Sequence, residues 1–408
     1  MRLTIRKPRV DSMIMGAFIL YSLFLTQTLF GTNNYILLYN LHEIAITIIC
    51  VIVLATSKMR IRLSKIETYA YAILLVPYIA LTLISIVEVS IGQGFSLKET
   101  LSANYSPMLM CVAAIIAYRY FGDRIVDVIY YMACINYIVY IIYFVNMNGL
   151  GGIIEYIVTG EEIGPKILEV HEATFIFGLM FVYYVINGNF KQNKVKGIVC
   201  LCFAILGYKR ILFLAVIVGL VTYWIVRKKS KKITIIYAVS LLLMCLGWLF
   251  FVTSDLYELV AAYFLIELNS RTFTDTGLYA RLNGYYTISP SYIGHGVGFV
   301  NTKMREYASR VSGFVTTGFH NDILRYYIDI GFIPCILYFF NMTVLNARRI
   351  IKMFSQNQAN KFLCLLCVTL IGWTTDNLAS YPNYLFVQNI LFLEILLGNK
   401  YMGIKQDI

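Results

Sequence analysis

The sequence predicts an all-α, polytopic transmembrane bundle of about twelve spans with one large extracytoplasmic loop, and three observations predict it. The first is composition: 59% of the 408 residues are hydrophobic and 14% charged, against about a quarter charged in an ordinary soluble domain. The second is hydropathy. The mean is +0.70, and the apolar residues fall into runs near the length of about 20 that a bilayer crossing needs. The third is charge placement, because the basic residues alternate between the two sides of those runs. A single integral membrane domain over 1–408 is expected, with the loop at 254–322 between spans nine and ten.

The expected spans are 12–30, 36–56, 69–90, 101–119, 125–147, 170–188, 196–208, 211–226, 233–253, 323–346, 362–379 and 384–399. With the N-terminus inside, 24 of the 34 basic residues fall on the cytosolic side, including Arg227–Lys232 and the group Arg348, Arg349 and Lys352. Both termini are therefore expected in the cytosol. The start, MRLTIRKPRVDSM, is basic, and no small-residue cleavage site follows, so the first span is expected to remain as an anchor. The net charge of +12 is sorted by side of the membrane and does not form a nucleic-acid face.

Spans seven and eight are short and flank Tyr208-Lys209-Arg210. A hairpin with its tip at the outer interface accounts for them better than one long helix over 195–226 with a buried charge pair, since cations at a tip can reach water. Pro77, Pro107 and Pro334 fall within spans as tolerated kinks. All nine cysteines lie in apolar runs, where thiols behave as small hydrophobes. Cys364-x-x-Cys367 has no accompanying thiol or histidine ligands, so a metal or redox role is not expected. The loop at 254–322 opens with an amphipathic stretch, DLYELVAAYFLIELN, and is rich in aromatics. Long loops of this kind carry function.

No Walker A, H-E-x-x-H or D-x-D motif is present. GHGVGF at 294–299 has dinucleotide-like glycines without a βαβ context and reads as a tight turn. What remains is a set of outward-facing cations and one histidine: Arg210 at the hairpin tip, Arg281 in LYARLNGYY and His320 in FHNDILRYY. Two arginines with planar donor forks suit a diphosphate. A histidine, with an unperturbed pKa near 6.5, suits removal of a proton from a hydroxyl, and Asn321 or Asp322 is placed to cap the helix that follows it. The plainer alternative for His320 is an interfacial histidine bonded to a loop carbonyl. Lys303, Arg305 and Arg310 form a basic stretch that fits lipid phosphates, an acidic glycan or plain solvent. His42-Glu43 and His171-Glu172 read as partners of charges on neighbouring helices, and Glu88, Asp376 and Glu394 as span-end acids close to water.

Three segments resemble one family, the bacterial Wzy-type polysaccharide (O-antigen and capsule repeat-unit) polymerases and the related O-antigen ligases. YKRILFL at 208–214 resembles that family's short helix with an interfacial arginine. ARLNGYYTISPSYIGHGVGF at 280–299 resembles its arginine-led helix and glycine turn, and FHNDILRYYIDIGFIPCILYFF at 319–340 its His-Asn segment entering a span. The resemblance implies a metal-independent, inverting, cofactor-free glycosyltransferase of the bacterial inner membrane. It would polymerise undecaprenyl-diphosphate-linked oligosaccharides on the outer leaflet, with a flippase and a chain-length regulator as candidate partners and no nucleic acid. Arg210 and Arg281 would hold the donor diphosphate, His320 would be the base, and Asn321, Arg305 and Arg310 would make secondary substrate contacts. The family often has a small hydroxyl residue before the hairpin arginine, and Lys209 stands there, so either Lys209 or Arg210 is the phosphate contact. Two alternatives from the same residues are ligase-type transfer to another lipid or glycan and a non-enzymatic flippase. A shape, elongation and division type cell-wall polymerase would need a loop acid, and Asp255 and Asp275 lack that family's surroundings.

Overall fold

A computed structural model describes residues 43–51, 63–91, 96–159, 171–187, 190–207, 209–254, 256, 259, 293–310 and 319–404. The expected first span and most of the second lie outside these residues, as does most of the loop at 254–322. Among the described residues the chain is helical, and the only β-pairing is an isolated antiparallel bridge between Ile293 and Gly331. The helices are α1 (Lys65–Ser90), α2 (Leu97–Phe121), α3 (Arg124–Thr159), α4 (His171–Ile186), α5 (Phe190–Leu206), α6 (Arg210–Val226), α7 (Lys231–Val252), α8 (Phe299–Arg310), α9 (Asp322–Ile330), α10 (Phe332–Phe340), α11 (Asn346–Met353), α12 (Gln356–Gly372) and α13 (Pro382–Ile404). Among the described residues, four helical stretches are long and apolar enough to cross a membrane: Lys65–Ser90, Leu97–Phe121, Arg124–Ile142 and Lys231–Val252. The apolar helices Glu172–Ile186, Arg210–Val226 and Pro382–Gly398 are shorter. Helices α1 and α2 run through Pro77 and Pro107 without a break.

The chain forms two compact units. The first comprises Met1–Tyr71, Leu109–Leu220 and Pro382–Ile408. Its centre is α4, whose Phe175, Ile176, Phe177, Leu179, Met180, Val182 and Tyr183 are all buried. A helix apolar on every face must be covered all round. Tyr137, Phe177 and Phe203 supply part of the cover, with ring centroids 5.5, 5.0 and 5.1 Å apart, which joins α3, α4 and α5. The charges are tied off locally. Glu172 accepts from the Asn383 amide at 2.7 Å, and Glu394 accepts from the Tyr118 hydroxyl at 2.7 Å. Glu394 is 8% exposed, away from the water its span-end position suggested.

The chain breaks at Gly207, between α5 and α6. A Cβ at Gly207 would overlap Thr174, and one at Gly178 would overlap Leu212. Thr174 beside Gly207 and Gly178 beside Leu212 mean that α6 sets off along α4 in α4's own direction. With α5 ending at Leu206 and α6 starting at Arg210, the chain does not form one helix over 195–226. Glycine at these two contacts leaves the room that the Thr174 and Leu212 side chains occupy.

The second unit comprises Ala72–Met108 and Val221–Tyr381. Helix α7 buries Thr234, Tyr237, Ala238, Leu241, Cys245, Leu249 and Val252, a single helical stripe. Helix α12 is buried on nearly every face, Cys364 and Cys367 included; neither thiol is in a disulfide. The segment expected as one span over 323–346 is divided. Helix α9 ends at Gly331, whose φ of 76° and ψ of 172° stop it, and Pro334 sits in the first turn of α10, where its missing N–H costs nothing. A π-helical turn, Asn341–Leu345, then leads into α11, and Arg349 Nη1 donates to Asn341 Oδ1 at 2.8 Å and Asn346 Oδ1 at 3.1 Å across it.

The glycine-rich segment at 294–298 is a turn wrapped on one carboxylate. The Gly298 and Val300 N–H groups donate to Asp329 Oδ2 and Oδ1 at 3.1 and 3.0 Å, and those of His295 and Gly296 donate to the Asp329 carbonyl at 2.9 and 2.7 Å. Asp329 itself is fully buried. Val297 N–H donates to Ser85 Oγ on α1 at 3.0 Å, so the turn ties the start of α8 to α9 and α1. A Cβ at Gly294 would overlap both the Glu88 carboxyl and the Ile330 backbone. Since backbone cannot step aside as a side chain can, Gly294→Ala is expected to cost about 1–3 kcal/mol, read as a lowered unfolding midpoint in mild detergent. Gly247→Ala, with open space at its Cβ, is the control that should leave the midpoint unchanged or raise it.

Candidate functional site

The segment entering α9 is the most constrained part of the second unit. His320 has φ of 50°, a left-handed conformation that non-glycine residues rarely adopt and that costs of order 1–3 kcal/mol. Its own amide offsets part of this cost, because His320 N–H donates to Asn377 Oδ1 at 2.8 Å. The bend lets Asn321 cap α9, Oδ1 accepting from Leu324 N–H at 3.0 Å, as the expected N-cap. It leaves His320 half-buried and Asn321 1% exposed. Its side-chain oxygen is thus part of the helix cap.

A buried polar frame stands behind the bend. Asp322 N–H donates to the Trp373 carbonyl at 2.9 Å, and Asp322 Oδ2 accepts from Ala379 N–H at 2.7 Å. Arg325 Nη2 lies 3.0 Å from Asp322 Oδ1, Nη1 donates to Ser380 Oγ, and the guanidinium sits 5.0 Å from the Tyr326 ring centroid. Asp322 is fully buried and Arg325 4% exposed. Asp376 Oδ1 accepts from Asn377 N–H and from the Tyr381 hydroxyl, both at 2.8 Å. The connection between α12 and α13 is thus folded around the start of α9. Arg325 is spent inside this frame, whereas a diphosphate ligand must be reachable from solvent.

The frame was not expected from sequence. Asp376 read as a span-end acid close to water but is 1% exposed, and Glu88, read the same way, is 6% exposed. The available signal was the polar run TTDN at 374–377 between two apolar runs.

The other expected site residues fall as follows. Lys209 and Arg210 belong to the first unit; Lys209 is half-buried, and Arg210 is exposed at the first position of α6. That position adds the partial positive charge of a helix N-terminus to two cationic side chains, a setting that favours anions. Arg281 lies outside the described residues. Arg305 and Arg310 lie on α8, with their side chains outside the described set. On the same helix Lys303 pairs with Glu306 at 2.9 Å and lies 5.9 Å from the Phe299 ring, while His295 stacks on Phe299 at 4.2 Å. No protein-family model matches this chain, and no curated protein sequence matches it.

Proposed function

We propose that the chain is a twelve-span enzyme of the bacterial inner membrane that polymerises lipid-linked oligosaccharide repeat units on the outer leaflet. His320 takes the proton from the acceptor sugar hydroxyl, the hydroxyl oxygen attacks the anomeric carbon from the face opposite the leaving group, and configuration inverts. The bond from that carbon to the diphosphate oxygen breaks, and undecaprenyl diphosphate departs with the electron pair. Arg281 and the Lys209–Arg210 tip hold it, each charge-assisted contact supplying roughly 1.5–3 kcal/mol. Preorganised cations serve here because charge grows on the diphosphate as it leaves.

The observation that carries the reading is the left-handed backbone of His320, held by Asn377. A folded chain tolerates strain of this kind where the surroundings over-determine it, and such places cluster at functional sites. That it falls on the histidine of the segment resembling the polymerases makes His320 the first choice for the base.

The test is genetic. Deleting the gene should leave single lipid-linked repeat units on the outer leaflet and remove the ladder of longer glycans from an envelope gel, and the wild-type gene should restore it. Arg210→Ala, Arg281→Lys and His320→Ala should each fail to restore it. A normal ladder from all three variants would sink the assignment. Repeat units trapped on the cytosolic leaflet would favour a flippase, and loss of glycan from a lipid anchor without loss of ladder a ligase.

A further inference from the structure

Remote from the α9 entrance in sequence, the second unit holds a cleft of about 830 Å³ lined by Lys231, Lys232, Ile235, Ile236, Arg348, Ile351 and Lys352. We propose that it binds one anionic phospholipid, the phosphodiester headgroup among the four cations and an acyl chain along α7. The inference does not depend on the polymerase reading.

Lys231 and Lys232 come from the first turn of α7, and Arg348 and Lys352 from α11. The sequence places both clusters on one side of the membrane by charge rule alone, and the structure brings them to one cleft. Hydrogen bonds fix the neighbouring elements in place. Gln356 donates to the Lys229 carbonyl at 2.5 Å, Asn360 to the Val226 carbonyl at 3.3 Å, and Thr234 to Asn360 at 2.8 Å. All four cations are exposed, and among the described residues no carboxylate forms an ion pair with any of them. Four like charges around one cleft repel one another, and the first turn of α7 contains no acid to relieve them. An anion in the cleft would.

The floor separates a lipid from a free anion. Ile235, Ile236 and Ile351 are apolar, which a soluble phosphate has no use for. From Ile236 an exposed apolar stripe continues along α7 through Leu243 and Phe250, at 57%, 60% and 75% exposure. Their spacing of seven keeps them on one helix face, and fourteen residues at 1.5 Å each span roughly 21 Å, the reach of an acyl chain. Basic pockets beside apolar helix surface on the cytoplasmic side are where anionic headgroups bind.

The experiment is native mass spectrometry of the full-length protein in detergent, with phosphatidylglycerol, phosphatidylcholine or glycerol 3-phosphate added. Phosphatidylglycerol should be retained in preference to phosphatidylcholine. The combined variant Lys231→Gln, Lys232→Gln, Arg348→Gln and Lys352→Gln should lower retention at least about tenfold, while Lys65→Gln with Lys194→Gln should not change it. Leu243→Ser with Phe250→Ser should weaken phosphatidylglycerol without creating any binding of glycerol 3-phosphate. These side chains are exposed, so the fold should survive all of the changes. Equal retention by the four-fold variant, equal retention of the two lipids, or tight capture of glycerol 3-phosphate alone would overturn the proposal.

Discussion

Replacing His320 with alanine is expected to lower glycosyl transfer by roughly a hundred- to ten-thousandfold, the range of a positioned general base, and replacing it with glycine should do the same. The glycine variant makes the result interpretable. Glycine adopts φ of 50° freely, so His320→Gly removes the imidazole while relieving the backbone that Asn377 now holds. A purely structural histidine predicts a glycine variant with intact activity and unchanged or improved stability. A catalytic one predicts a folded, inactive protein. Asn377→Ala should sit between them, lowering turnover about tenfold or less through the loss of one hydrogen bond, with little change in the concentration of lipid-linked donor needed for half-maximal rate. Initial rates in membranes carrying equal amounts of each variant make the comparison.

The second large effect is on stability. Asp322→Ala should destabilise the protein by about 3–5 kcal/mol, because it leaves the Arg325 guanidinium buried without its carboxylate. It also orphans the Ala379 N–H. Combining Asp322→Ala with Arg325→Met should recover much of the loss, since a buried pair contributes little beyond an apolar pair of similar volume. Unfolding in mild detergent, followed across the two single variants and the double, gives the coupling directly. An Asp322→Ala protein within about 1 kcal/mol of wild type would mean that the frame behind His320 is wetter than its burial indicates.

Much of the fold could be read from the sequence because membrane burial writes long, simple patterns. Runs such as 69–90 and 233–253 appear as α1 and α7, and the break between Leu206 and Arg210 follows from two apolar stretches each too short to cross. Helix α9 was legible only in part. Asn321 is readable as a cap from its position before an apolar run, but the stop at Gly331 depends on a backbone angle that composition does not encode. The sequence singled out His320 but not the polar frame around it. Asp322, Arg325, Asp376 and Asn377 are joined across 50 or so residues of sequence by tertiary contacts, and a single chain read linearly sees only isolated charges near span ends. The carboxylate inside the glycine turn was missed for the same reason. GHGVGF looked like a turn, and it is one, but Asp329, which organises it, lies 31 residues on from Gly298.

The proposed function requires the tip cations, Arg281 and His320 to face the same aqueous compartment and to meet one lipid diphosphate. The direct measurement is cysteine labelling of Arg210→Cys, Arg281→Cys and His320→Cys, each made in a background with Cys202, the exposed native thiol, replaced by serine. A membrane-impermeant maleimide added to intact spheroplasts should label all three positions, and added undecaprenyl-diphosphate-linked glycan should slow the labelling of each. Labelling of any one of them only after the membrane is opened, or protection of one without the others, would contradict the account.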